Sequence, residues 1–169
     1  MLAAFAPGMG GGVAYCNGGS FSLHKFTTES DYLEIMESFD RYSRVLVEDV
    51  PAYVSNATSN SSSFKLGYNF GFIVGACRAF AFPVELIGPK KWQKGLRGLK
   101  PKMGYAERKR AIKDNAVMLY PDLRKSITNA TADALMILHF ALARDGKVWP
   151  PIPGESESMS ATDNSVTHY

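Results

Sequence analysis

Apolar residues Leu2 to Phe5 and Val13 to Cys16 form two short runs separated by Ala6-Pro7-Gly8-Met9-Gly10-Gly11-Gly12, and Asn17-Gly18-Gly19 separates the second from Phe21 to Phe26. Apolar runs broken by turn residues predict an antiparallel meander of three strands. The glycines do not read as a nucleotide loop, because neither the Walker A pattern nor G-x-G-x-x-G leading into a helix is present. Thr28 to Tyr42 has acids early and apolar residues at Tyr32, Leu33, Ile35, Met36 and Phe39, which predicts a capped helix. Val45 to Val50 is almost continuously apolar, as for a central strand covered on both faces.

Ser55 to Ser63 is polar and without apolar period, and reads as a loop. Phe64 to Phe80 turns helical, with Gly67, Gly71 and Gly75 four apart on one face. Each glycine costs a helix interior about 1 kcal/mol relative to alanine, so three in register predict close backbone approach, within the domain or, as the sharper alternative, across a dimer. Phe82 to Ile87 predicts another strand, Tyr105 to Leu119 a charged amphipathic helix, and Thr131 to Ala143 a mostly buried last helix. Three strands followed by alternating helices and strands give an α/β fold with a mixed sheet. Residues 1–147 form the expected domain. Residues 148–169, rich in Pro, Ser, Thr and Glu, form an expected disordered tail.

Composition sharpens this outline. A chain of 169 residues that is 46% hydrophobic can bury one core. The apolar stretches Phe70 to Ala76 and Ala134 to Ala143 fall short of the roughly 20 residues a membrane span needs. With no basic leader before Gly12, a soluble cytoplasmic protein is expected. Cys16 and Cys77 show no metal-ligand spacing and read as free thiols. Net charge is only +3, yet Arg78 to Lys125 holds 13 Lys and Arg against four acids, leaving the remainder of the chain acidic. A basic block of this kind is either a solvated surface or the electrostatic footprint of a polyphosphate partner.

The candidate chemistry lies at two carboxylates. Glu48 closes the Val45 strand and Asp133 opens the last helix. Acids delivered by separate elements suit a hard cation such as Mg²⁺, whose other positions go to water and phosphate. The alternatives are a salt bridge for Glu48 and a first-turn helix acid for Asp133. Asp49 points to the opposite face of its strand and stays outside the site. Asn129, one helical turn before Asp133, could face the same way and offer an uncharged oxygen. Lys90, Lys91, Trp92, Lys94, Arg97, Lys100 and Lys102 interleave one large aromatic with cations, and Arg108 and Lys109 continue the series. That combination fits a nucleic-acid backbone with one stacking ring, although Trp92 also reads as a core anchor. His24, His139 and His168 lack metal-ligand spacing.

Phe5-Ala6-Pro7-Gly8 with its meander, Val47-Glu48, Leu66-Gly67-Tyr68-Asn69 with Gly71 and Gly75, Val84 to Lys94, and Ala132-Asp133-Ala134-Leu135 together resemble the RuvC-type Holliday-junction resolvases, particularly their phage-like branch. The resemblance spans about residues 2 to 145. It implies a ribonuclease H-like mixed five-stranded sheet flanked by helices, a homodimer, branched DNA as partner, and about four acids holding two Mg²⁺ or Mn²⁺ ions that hydrolyse a phosphodiester. By position it makes Glu48 the strand acid and Asp133 the final acid. Ala6 stands where the first acid belongs, and Asn129 or Ala130 where the third belongs. The resemblance therefore implies an endonuclease inactive as written, with a dead branched-DNA-binding protein and a nuclease of RNA hybrids as alternatives. The intact Pro7-Gly8 turn and the alanine's place in it favour an engineered exchange of aspartate for alanine over a natural pseudo-nuclease.

Overall fold

The computed structural model describes residues 1–8, 10–50 and 59–147. Strands β1 (Leu2–Ala6), β2 (Gly12–Asn17) and β3 (Ser20–Lys25) form the expected meander. Gly18 and Gly19, both at positive φ, make its two-residue β2–β3 turn, where the strand twist calls for left-handed backbone. Helix α1 (Glu29–Glu37) leads to β4 (Arg44–Glu48), which lies parallel to β1. Helix α2 (Asn60–Ala79) leads to β5 (Val84–Ile87), parallel to β4. The short α3 (Pro89–Trp92), α4 (Tyr105–Leu119), a 3-10 turn at Pro121–Leu123 and α5 (Thr131–Arg144) complete the order. The sheet runs β3-β2-β1-β4-β5, so the α/β class and the mixed five-stranded sheet are as expected.

The two faces of β1 and β4 bury different helices. Ala3, Phe5, Val45 and Val47 pack with Tyr32 and Met36 of α1 and Ile73 and Cys77 of α2. Leu2, Ala4, Ala6 and Leu46 pack with Trp92, Ile112 and Ala116 and with α5. Helix α5 is buried from Thr131 to Leu142 because the sheet covers one side and α4 the other. Such enclosure explains why it is apolar nearly all round.

Local chemistry sets the boundaries, and several differ from expectation. Thr28 caps α1 in a capping box with Asp31, as its sequence suggested, but the helix stops at Glu37, where the Ser38 hydroxyl bonds the Ile35 carbonyl. Helix α2 starts earlier than expected. The Ser59 hydroxyl accepts from the Ser62 amide, so residues 60–63 form the first helical turn, not a loop. Residues 55–58 of that expected loop, and the expected tail 148–169, lie outside the described residues. The expectation of close glycine packing within the domain is also corrected. Among the described residues nothing lies within 4 Å of where a Cβ would stand on Gly67, Gly71 or Gly75, so these residues face outward, not into a packed core. No helix among the described residues is long and apolar enough to cross a membrane.

Gly12 is the glycine on which the site depends. A Cβ there would stand 2.8 Å from the carbonyl oxygens of both Ala130 and His24. Its absence lets the chain entering α5 rest directly on β2. Gly12→Ala is expected to lower stability by about 1–3 kcal/mol, the usual cost of overpacking, measured by urea denaturation. An unchanged denaturation midpoint would contradict the close approach.

Candidate functional site

β1 and β4 run in parallel register from Leu2 beside Arg44 to Phe5 beside Val47, so the next residues along are Ala6 and Glu48. Side chains alternate along a strand. Leu2, Ala4, Ala6 and Leu46 face the α4–α5 layer, and Glu48, two residues beyond Leu46, points the same way. Asp133 comes from the first turn of α5. Its helix is started by reciprocal bonds, with the Thr128 amide donating to the Thr131 hydroxyl and the Thr131 amide to the Thr128 hydroxyl. Gly12 then seats this entry against β2, beside Ala6. The sheet ends and the helix start thus put positions 6, 48 and 133 on one side of the molecule.

Each carboxylate has a specific partner. The indole Nε1–H of Trp92 donates to Glu48 Oε1 at 3.2 Å. Lys109 Nζ lies 2.5 Å from Asp133 Oδ2 and 3.4 Å from the Asn129 carbonyl oxygen. Asp133 Oδ1 is buried with no hydrogen-bond partner among the described residues. Burial, reinforced by the charge of Asp133, pushes Glu48 up to about 7, against the opposing effects of the Trp92 hydrogen bond and Lys109. Burial also raises Asp133, opposed by Lys109. For Lys109, burial alone would favour the neutral amine, but Asp133 outweighs it and holds the ammonium above its ordinary value. We take the pair as an ammonium facing a carboxylate, since a contact this short favours opposite charges.

Three expected site residues change role. Trp92 is fully buried, so it cannot stack on a base; it is a core anchor that orients Glu48. Lys109 is half-buried and engaged with Asp133, not a free surface cation. Asn129 is not on the helix with Asp133 but in the exposed turn before it, and its main-chain oxygen, not its amide, meets Lys109. The α5 helix begins at Thr131, as its pattern suggested, and Asn129 lies two residues before it. Lys90, Lys91, Lys94, Arg97, Lys100 and Lys102 are exposed, and Arg108 is half-buried.

Two of these cations, Arg108 and Arg97, are tied to neighbouring elements. Arg108 Nη1 donates to Gln93 Oε1 at 3.1 Å, joining α4 to the end of α3. The Asn115 side chain accepts from the Arg97 amide at 2.9 Å and donates to the Arg97 carbonyl at 2.8 Å, pinning the intervening loop to α4. The basic block therefore borders the carboxylates through Trp92 and Lys109. Sequence reading missed Asn69, a buried residue whose Oδ1 accepts from the Gly8 amide at 3.0 Å and ties α2 to the turn after β1. A polar residue amid the apolar face of α2 was the available signal.

No protein-family model matches the sequence, and no curated protein matches it significantly. Solved structures do. RuvC of Thermus thermophilus in complex with a Holliday-junction substrate superposes with a TM-score of 0.54 at 22% identity, covering 86% of this chain and 96% of that one. A second Thermus thermophilus RuvC structure gives 0.51 at the same identity and coverage. The fold is RuvC-like.

On this RuvC-like fold a two-ion Mg²⁺ centre does not fit the residues present. Position 6, where the family resemblance implies an acid, offers a methyl group that is 2% exposed. Asn129 contributes no charge. One oxygen of Asp133 is already taken by an ammonium. Among the described residues no three His, Cys, Asp or Glu side chains cluster in a metal-binding arrangement. Asp133 and Glu48 together supply only two carboxylates, and the second oxygen of Asp133 is buried.

Proposed function

We propose that this chain is a branched-DNA protein of the junction-resolvase type, an endonuclease scaffold that binds four-way junctions and, with Ala6 at its first acid position, does not cut them. The observation that carries this reading is the convergence of positions 6, 48 and 133 beside Lys109 and Trp92 of the basic block. Phosphate contacts give affinity to such a surface, and the carboxylates mark where a backbone phosphate would lie. Within this reading the motif order from Phe5 to Leu135 favours the phage-like branch. The outward face of α2 supports a homodimer, since Phe64 and Tyr68, 73% and 58% exposed, stack 6.4 Å apart beside the three open glycines. A two-fold partner on this face would cover both rings and let two sites meet one four-way junction.

Competition binding tests the substrate. Four-way junctions are expected to outcompete linear duplex and RNA-containing hybrids, with two chains per junction. Exchanging Lys90, Lys91 and Lys94 together for glutamine should weaken binding and reduce the salt slope by roughly one for each phosphate no longer neutralised. Preference for the hybrid would transfer the protein to the RNA-directed alternative.

A further inference from the structure

We propose that Lys109 is the resident cation of this site: its ammonium fills the place beside Asp133 that a divalent ion would need, and keeps the carboxylate pair metal-free. A cation bound to Asp133 Oδ2 at ordinary Mg²⁺ or Mn²⁺ distances would have to share that oxygen with the Lys109 ammonium and meet its positive charge at close range. The ammonium is held there from two sides, by Asp133 and by the Asn129 carbonyl. Tyr105, 5.8 Å away, adds a ring face toward it. The other Asp133 oxygen is sealed from solvent, and the neighbouring Ala6 methyl is apolar. An ion such as Mg²⁺ that keeps several of its waters has no wet approach from that side. Two carboxylates and one ammonium leave one excess negative charge. The same site without Lys109 would have two.

The inference deepens the junction reading, because a fixed ammonium would let a DNA phosphate approach these acids without metal. It is tested first with no DNA present. Titration of the protein with Mn²⁺, following the free-ion resonance, should show no saturable binding to the parent chain at submillimolar concentrations. Lys109→Gln should bind Mn²⁺ at least about tenfold more tightly, since an opposing charge is removed from beside the ion. Lys109→Arg, which keeps the cation, should resemble the parent.

Lys109→Gln should also melt at a lower temperature than the parent and recover on adding Mn²⁺. If it folds only with Mn²⁺, the proposal is supported. Saturable Mn²⁺ binding by the parent, equal to that of Lys109→Gln, overturns it. A second measurement uses the junction. Parent affinity should be unchanged by EDTA, whereas that of Lys109→Gln should rise when Mn²⁺ is supplied. Absence of junction binding by every variant would defeat the functional reading, while the titration without DNA would still judge Lys109.

Discussion

Ala6→Asp is expected to convert the chain into a nuclease of four-way junctions that requires Mg²⁺ or Mn²⁺. The exchange places a third carboxylate in register beside Glu48 and on the same face as Asp133. Three acids against the single ammonium of Lys109 give a divalent cation the charge advantage it lacks in the present chain. Nicking should rise at least about a hundredfold above the parent, corresponding to about 3 kcal/mol of transition-state stabilisation. A cost should accompany it, because position 6 is buried. Without metal the variant is expected to be destabilised by several kcal/mol, as for a buried uncompensated charge, and metal should restore much of that loss. Gel analysis of nicked junctions and thermal melts with and without metal measure the two effects. A variant that folds, binds junctions and never nicks them would refute the endonuclease scaffold and leave a protein that only binds.

Glu48→Gln is expected to stabilise the metal-free protein, with an effect that grows with pH. In the unfolded chain Glu48 ionises near its ordinary value of 4.5, whereas in the folded protein burial and Asp133 push it up to about 7. Between these values the native state holds a proton that the unfolded state has released. Stability therefore falls as pH rises through this window, and the loss is complete above about 7. Glutamine carries no charge, keeps an oxygen for the Trp92 indole, and removes this slope. The gain should be negligible near pH 4.5 and roughly 1–3 kcal/mol at pH 8, the scale set by 1.36 kcal/mol per pKa unit. Urea denaturation in EDTA across pH 4.5 to 8 measures it. Parallel pH profiles for parent and variant would show that Glu48 is solvated like an ordinary surface acid.

The opposite signs expected at these two positions have a common origin. Buried carboxylates are unfavourable without opposing charge, so neutralising Glu48 relieves the folded protein while a further acid at position 6 burdens it. Lys109 offsets part of this cost. Trp92 offsets another part by giving Glu48 a donor, while its ring fills the core beneath α3.

Much of this was legible in the chain because it depends on short-range chemistry. Turn residues at Gly18-Gly19, the Thr28 cap, the unbroken apolar run of β4 and the length of α4 are local signals, and they predicted the meander, the helices and the placing of Glu48 at a strand tip. The start of α2 was not legible, since a serine-rich segment serves equally as a loop or as a capped first turn. The outward direction of Gly67, Gly71 and Gly75 was also hidden. Equal spacing puts residues on one face of a helix, but only the placement of the sheet determines which face is covered.

By itself, the sequence determined the alternation of strands and helices, the basic block and the presence of two acids with alanine at the position where the family resemblance implies the first of about four. The tertiary structure alone decided what surrounds those acids. Trp92 was drawn inward onto Glu48 and Lys109 onto Asp133 across separations of 44 and 24 residues. Pairings at such distances follow from how helices pack on a sheet, and no local pattern encodes them, because burial rather than spacing selects which polar groups must meet.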